Sequence, residues 1–290
     1  MNLLEVVCSR PVVGLNDKLL SVLNILGRKG TPYRVVVLGE DFRVKGVISG
    51  RRILEVLLGR RGEALKTRKG LRGVLEEPIS LFLDEARNVF PENVTLQTVL
   101  QYMAENSLGY IIVVNENHVF KGVVDEAAIL GKLLNKTFGI KVKDVMSYPA
   151  LTINPEASLL EASNLMVDSR VRRLLVTRDD VLVGILTITD VLHHVLVRER
   201  EMESELYDVE TIFKAKVDEV MNTNIISIYL EKDVGEAIDK IIGNDISCLP
   251  VSVEGKLSGV VCRIDLVSGI VKIKGVPEVV RMMGLEAKNE

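Results

Sequence analysis

Apolar and polar positions fall into a phrase that recurs four times along the chain. An apolar strand is followed by a short polar gap, then by Gly and a second apolar strand. The first instance is Val35-Val36-Val37, then Lys45-Gly46-Val47-Ile48. The second is Ile111-Ile112-Val113-Val114, then Lys121-Gly122-Val123-Val124. The third is Leu174-Leu175-Val176, then Val183-Gly184-Ile185-Leu186. The fourth is Leu249-Pro250-Val251, then Ser258-Gly259-Val260-Val261. Gaps such as Asn115-Glu116-Asn117 and Arg178-Asp179-Asp180 predict hairpins, because these residues tolerate the backbone of tight turns.

The spacing of the marker glycines Gly46, Gly122, Gly184 and Gly259 alternates long, short, long. The step from repeat one to repeat three nearly equals the step from repeat two to repeat four. The alternation predicts a two-repeat module present twice. A single repeat is marginal as an independent fold, and pairing lets two repeats bury each other's apolar faces.

Each repeat reads β-α-β-β-α. In the third, Leu151-Thr152-Ile153 is a short strand and Pro155 with Ser158 opens a helix. Leu159, Ala162, Leu165 and Met166 lie on one face of that helix. Val171 to Val176 and Gly184 to Leu186 form the hairpin, and a second helix starts near Asp190. The fourth repeats the order, from Ile225-Ile226-Ser227-Ile228 to Asp265-Leu266-Val267. The fold class is therefore α+β, with four repeats in two modules. The boundaries are 1–135 (repeats about 5–60 and 85–135) and 136–275 (repeats about 142–198 and 217–273), with a tail over 276–290 that starts as a short helix. The connectors are a basic stretch over 59–72 and a charged one over 198–216 that extends a helix.

Composition narrows the function. Of the 290 residues 47% are hydrophobic and only 4% aromatic, with no Trp, so the core is built from Val, Leu and Ile. No apolar run reaches the roughly 18–20 residues of a membrane span. The N-terminus does not read as a signal peptide. The three cysteines (Cys8, Cys248, Cys262) lack CxxC spacing. They predict a reducing, cytoplasmic setting with neither a disulfide framework nor a structural zinc. With three histidines, a His-rich metal site is unexpected. His193 and His194 are read as ordinary helix-surface or interface residues. Residues 1–73 hold 15 Lys+Arg against 6 Asp+Glu, and the remainder 22 against 34. The basic quarter is either solvated surface or a patch for phosphates or an acidic partner.

Two stretches are more specific. Val142-Lys143-Asp144-Val145-Met146 and Val217-Asp218-Glu219-Val220-Met221 share the form V-x-x-V-M. The third repeat ends its hairpin with Gly184-Ile185-Leu186-Thr187-Ile188-Thr189-Asp190. With the repeat pattern, these resemble the CBS-domain family, the regulatory repeat named after cystathionine β-synthase, over nearly the whole chain. The family's tandem pair is the Bateman module. Four repeats in one chain resemble the γ regulatory subunit of AMP-activated protein kinase and its stand-alone prokaryotic relatives.

The resemblance implies an adenosine ligand in the cleft between paired repeats. It would serve as regulatory ligand, not as a cofactor, and a partner protein would read the binding. In the third repeat Asp190 can accept two hydrogen bonds from a ribose diol. Thr187 and Thr189 offer hydroxyls to a phosphate, and the following helix offers backbone N–H groups. Arg172 and Arg173 stand where the family places phosphate contacts, although strand alternation turns only one toward the cleft. Leu151, Thr152 and Ile153 would line an adenine slot. Asp190 is also a suitable helix N-cap, with Thr187 or Thr189 finishing the strand, and the arginines could pair with Asp168 or Asp179.

The other repeats depart from this pattern. The fourth keeps Asp265, but Cys262 and Arg263 replace the hydroxyls and Ser247-Cys248 replaces the arginines. It is expected to form a second, weaker site from Ile226, Ser227, Pro250, Arg263 and Asp265, with Arg263 as a phosphate contact. The first carries Arg52 and the second Ala128 where the carboxylate would be. There Arg34, Ser49 and Arg51 could hold an isolated phosphate, and Asp125 would cap its helix. No P-loop, triad or metal motif is present, so the chain is read as non-catalytic. The expectation is an AMP, ADP or ATP sensor. The alternatives are an S-adenosylmethionine or methylthioadenosine sensor, and a nucleic-acid or protein scaffold using Arg60-Arg61, Lys66, Arg68-Lys69 and Arg72. That stretch has no interleaved aromatics, so nucleic acid is disfavoured. The apolar faces allow either an intramolecular four-repeat disk or a homodimer.

Overall fold

The structure, a computed structural model, describes residues 3–28, 30, 32–61, 63–201, 209–253 and 256–284, with backbone alone at 63–68 and 209–210. Glu254 and Gly255 of the fourth hairpin gap, the side chains of Lys66 and Arg68, residues 202–208 of the charged connector and the end of the tail lie outside the described residues.

Repeat one comprises β1 (Val12–Gly14), α1 (Leu19–Leu26), β2 (Arg34–Leu38), β3 (Val44–Ser49) and α2 (Gly50–Leu57). The basic connector carries α3 (Glu63–Leu75). Repeat two comprises β4 (Val89–Pro91), α4 (Leu96–Asn106), β5 (Tyr110–Val114), β6 (Phe120–Asp125) and α5 (Glu126–Gly131). Repeat three comprises β7 (Thr152–Ile153), α6 (Leu159–Asp168), β8 (Arg173–Arg178), β9 (Val181–Thr187) and α7 (Ile188–Glu201). After α8 (Val209–Phe213), repeat four comprises β10 (Ile228–Tyr229), α9 (Val234–Gly243), β11 (Cys248–Val253), β12 (Lys256–Cys262) and α10 (Arg263–Lys274), and α11 (Val276–Met282) follows.

Every repeat builds the same three-stranded sheet: a short edge strand parallel to the middle strand, which pairs antiparallel with the third. The middle strands are buried, as in Val35, Val36 and Val37, and β-branched residues suit that pleated surface. Helix starts obey local chemistry. Ser158 Oγ accepts from the Glu161 N–H at 3.1 Å. Glu161 Oε2 accepts in turn from the Ser158 N–H at 2.8 Å. This capping box fixes the start of α6.

The chain divides into two compact units. One contains Pro11–Ala86 and Leu151–Ile225, that is, repeats one and three; it is called the odd unit below. The other contains Met1–Arg10, Arg87–Ala150 and Ile226–Glu290, repeats two and four; it is the even unit. Each has its own apolar core. In the odd unit α1 and α2 pack on α7, and α2 on α6. In the even unit α10 packs on α4 and α5, and α9 on α5. These units differ from the consecutive modules 1–135 and 136–275: each takes one repeat from each module. Helix packing is the reason, because the apolar helix faces of repeats one and three close on each other.

A further regularity ties consecutive repeats together. Four 3-10 turns, Leu3–Glu5, Ile79–Leu81, Val142–Asp144 and Val217–Glu219, each start an arm that leads into a repeat. Each arm forms a two-hydrogen-bond bridge to the third strand of the adjacent repeat of the sequence, not its own. Cys8 bridges Val123, Asp84 bridges Val47, Ser147 bridges Val260 and Asn222 bridges Ile185. Arms one and two are thus exchanged between repeats one and two, and arms three and four between repeats three and four. The marker glycines follow from this. A Cβ on Gly46 would lie 2.8 Å from the Asp84 carbonyl oxygen, and one on Gly259 would lie 2.7 Å from that of Ser147. On Gly184 it would collide with the Met221 side chain, which explains why the V-x-x-V-M methionine and the glycine occur together.

Candidate functional site

The antiparallel register closes each hairpin with one residue pair immediately before the second helix. The four pairs are Arg34–Ser49, Tyr110–Asp125, Arg173–Thr187 and Cys248–Cys262.

In repeat three the pair is a cation and a hydroxyl. Thr187, not Asp190, caps α7: the Asp190 N–H donates to Thr187 Oγ1 at 3.2 Å. Asp190 is the third helical residue and returns the bond, with Oδ2 accepting the Thr187 N–H at 2.8 Å and its hydroxyl at 2.6 Å. The box holds the carboxylate in a fixed orientation at the strand end. It also uses the single proton of the Thr187 hydroxyl, so that hydroxyl positions Asp190 instead of donating to a phosphate. Thr189 lies in the first turn of α7 rather than in the strand.

The arginines have specific neighbours. The Arg172 guanidinium carbon lies 3.8 Å from the centroid of the Tyr33 ring. That of Arg34 lies 4.7 Å from the same centroid. Both distances are within cation–π range. Arg51 reaches the Arg170 carbonyl at 3.5 Å. Arg34, Ser49 and Arg51 of repeat one and Arg172 of repeat three therefore meet inside the odd unit. Asp168, one expected partner of Arg172 or Arg173, binds Arg60 instead. On the edge strand, the Leu151 carbonyl accepts from the Leu175 N–H at 3.0 Å. Strand alternation then turns the N–H and C=O of Thr152 to the outer edge.

Repeat four differs in its chemistry. Asp265 accepts from the Cys262 N–H at 2.8 Å through Oδ2 and from the Ser147 hydroxyl at 3.3 Å through Oδ1. The expectation of no disulfide is corrected: Cys248 and Cys262 are bonded across β11 and β12, because the hairpin register sets them opposite each other with Cα atoms 4.0 Å apart. Cys8 is the free cysteine, and burial together with the Asp125 charge pushes its thiol pKa up. Arg263, expected at a phosphate, donates instead to the Ile246 carbonyl at 3.0 Å and to Asp245 at 3.2 Å. Ile226 and Ser227 precede β10, and Pro250 is buried within β11.

In the N-terminal repeats the arms supply the answering charge. Arg52, 6% exposed, pairs with Glu55 at 2.5 Å and with Asp84 of the arm. Asp125 accepts from the Ala128 N–H at 2.9 Å, capping its helix, and from Arg10 of the arm at 2.6 Å. Sequence reading missed Arg10 and Asp84. Their signal was the arm itself: Cys8, Asp84, Ser147 and Asn222 all stand five residues after the first residue of the 3-10 turn.

The basic connector is largely neutralised within the odd unit. Arg60 pairs with Asp168, Arg61 with Glu55, Lys69 with Glu77 and Arg72 with Glu199. His193 contacts the Gly27 carbonyl through Nδ1 at 3.1 Å. His194, half-buried in α7, has its pKa lowered by desolvation and by Arg198. Among the described residues no group of three or more His, Cys, Asp or Glu could hold a metal ion, and no helix is long and apolar enough to cross a membrane.

Four copies of one sheet-and-helix unit, each closing its hairpin with a different residue pair, define a tandem-repeat architecture. The CBS-domain profile matches residues 88–135, 142–197 and 217–272. The chain belongs to the CBS-domain family, with residues 11–57 supplying a fourth copy by geometry. A 33.4 kDa protein in a ribosomal RNA operon of Thermofilum pendens is 28% identical over 274 residues, covering 91% of this chain and 89% of its own. The crystal structure of MJ1225 from Methanocaldococcus jannaschii, described as a candidate archaeal homologue of γ-AMPK, has a TM-score of 0.81 at 18% identity, covering 92% of this chain and 99% of that one. A conserved protein from Pyrococcus horikoshii has a TM-score of 0.60 at 20% identity, covering 93% and 100%.

Proposed function

We propose that the chain is a non-catalytic sensor that binds an adenine nucleotide at repeat three and signals the occupancy to a partner protein. The observation that carries this reading is a continuous run of matching groups. Asp190 is oriented by Thr187, Thr187 pairs across the hairpin with Arg173, and Arg172 stacks on Tyr33 beside Arg34. In this reading the ribose diol binds Asp190, adenine lies along Leu151, Thr152 and Ile153, and the phosphate is held by Arg172, the arginine turned toward the cleft, with Thr189 and the N–H groups of α7. Arg34, Ser49 and Arg51 add to that phosphate site from repeat one. A phosphate supplies the two or more acceptors that guanidinium forks require.

The consecutive modules 1–135 and 136–275 fit this function as the coupling units. Exchanged arms make the strand end of each repeat depend on a segment covalently tied to the next. A ligand that binds two arm arrangements with different affinity shifts their populations, and a partner can read the shift. The scaffold reading loses support, because cations in the basic connector are paired with carboxylates of the same chain.

The test is titration calorimetry of AMP and adenosine into the full chain and Arg172→Ala. Losing one charge-assisted phosphate contact, about 1.5–3 kcal/mol, predicts AMP binding weaker by roughly 10–100-fold with adenosine binding unchanged. Equal AMP affinities for the two proteins would remove the phosphate assignment.

A further inference from the structure

The hairpin of repeat four closes on the Cys248–Cys262 disulfide, where the other repeats place Arg34–Ser49, Tyr110–Asp125 and Arg173–Thr187. Around this bond β12 is held on both edges. Toward β11 it is paired through Gly259 with Val251 and through Val261 with Leu249. Pro250, opposite Val260, has no N–H to give. The Val260 backbone serves the arm instead. The Ser147 N–H donates to the Val260 carbonyl at 2.8 Å, and the Val260 N–H to the Ser147 carbonyl at 3.1 Å. Two residues on, Cys262 grips β11 covalently and donates its N–H to Asp265 of α10 at 2.8 Å. Asp265 also accepts from the Ser147 hydroxyl at 3.3 Å. The same arm lies on α10, since a Cβ on Gly269 would collide with the Val145 side chain. Disulfide, helix start and arm three therefore form one contiguous cluster. The two sulfurs are unequally placed: Cys248 is 7% exposed, whereas Cys262 is only partly buried. Disulfides that an outside thiol can reach are the labile ones.

We infer that Cys248 and Cys262 are a reversible thiol–disulfide switch, opened by a dithiol reductant, whose redox state sets how firmly arm three is held on repeat four. One thiolate of the dithiol attacks the Cys262 sulfur. A mixed disulfide forms, the Cys248–Cys262 bond breaks, and Cys248 leaves as a thiolate that takes up a proton. The second thiolate of the reductant then attacks the reductant's own sulfur in the mixed disulfide. The reductant closes to its disulfide, and Cys262 is released and takes up a second proton. Two electrons and two protons thus pass to the protein, and a disulfide oxidant reverses the exchange. In the oxidised chain the end of β12 cannot part from β11, so the arm hangs on a fixed edge. In the reduced chain that end is held by hydrogen bonds such as Arg263 N–H to the Ser247 carbonyl at 3.0 Å. Such an end opens locally at a small fraction of the cost of global unfolding. Each opening displaces Val260 and Asp265, and with them the partners of Ser147. The switch is independent of what repeat three binds.

The test uses the full chain with Cys8→Ser, so that every thiol belongs to the pair. The folded protein is treated with dithiothreitol and then with oxidised glutathione, and samples are acid-quenched, unfolded and alkylated. Mass spectrometry should count no thiols at first, two after dithiothreitol and none after reoxidation, with the circular dichroism of the folded chain unchanged throughout. Hydrogen exchange of the Ser147 and Val260 amides should be at least about ten-fold faster in the reduced chain. Exchange at Asn222 and Ile185, the matching bridge of repeat three, should not change. Cys248→Ser with Cys262→Ser should exchange like the reduced chain with or without dithiothreitol. Reduction that occurs only with unfolding, or arm-three amides indifferent to redox state, would overturn the inference. So would an equal acceleration by dithiothreitol in the double serine variant.

Discussion

Gly259→Ala and Gly184→Ala test the exchanged arms, because the two glycines occupy the same register position and face different atoms. A Cβ at Gly259 meets the Ser147 backbone carbonyl at 2.7 Å, and backbone cannot rotate away. The arm must lift, which endangers the bridge formed by Ser147 N–H to Val260 O at 2.8 Å and Val260 N–H to Ser147 O at 3.1 Å. At a net of about 0.5–1.5 kcal/mol each, the two bonds are worth about 1–3 kcal/mol. The lower unfolded-state entropy of alanine returns about 0.4–1 kcal/mol, so a net loss of roughly 1–2 kcal/mol is expected. At Gly184 the obstructing atoms are Met221 Sδ, Cγ and Cε, the mobile end of a flexible side chain. Rotation of the methionine relieves the clash, and the entropy term brings the net change to about zero. Urea denaturation followed by circular dichroism should therefore lower the midpoint for Gly259→Ala and leave Gly184→Ala near wild type. Equal midpoints for the two variants would refute the arm-clamp reasoning.

Two further outcomes are expected. Desolvation and Arg198 lower the His194 pKa below its ordinary 6.5, against smaller raising effects from Glu219, the Ile212 backbone and Glu201. The folded state then binds a proton less readily than the unfolded chain, so His194's contribution is intact above about pH 6.5 and is lost as pH falls below it. Melting temperatures at about pH 7.5 and 5.5 should separate less in His194→Gln than in wild type, and equal separations would contradict the assignment. Chain unfolded without reductant should titrate one thiol, Cys8, and reduction should raise the count to three; three thiols before reduction would exclude the Cys248–Cys262 bond.

The repeats were legible in the sequence because the arm passes close to one place in every hairpin, and a glycine stands there in all four. The arms themselves were half legible. Val142 to Met146 and Val217 to Met221 carry a recognisable pattern, whereas Leu3, Val6 and Val7, and Ile79, Phe82 and Leu83, solve the same packing with other apolar side chains. Asp190 stood out as a carboxylate at a strand end, but its reciprocal bonds with Thr187 required the observed start of α7 at Ile188. The stacking of Arg172 on Tyr33 joins residues from different repeats and leaves no local trace. The grouping of repeats one with three was equally hidden, since the helix faces of all four repeats read as similar Leu, Ile and Val stripes. The disulfide was readable in principle: counting back from the turn in the fourth hairpin sets Cys248 opposite Cys262, a register that cysteine spacing alone does not reveal.

Titration of AMP into the wild-type chain and into Asp190→Asn asks whether this carboxylate holds a nucleotide. One AMP site per chain is expected, with a roughly 10–100-fold loss of affinity in the variant, corresponding to about 1.5–3 kcal/mol for a charged acceptor. The helix cap should survive because Asn can still accept from Thr187. Unchanged AMP affinity in Asp190→Asn would contradict this expectation and leave Asp190 with its capping role alone.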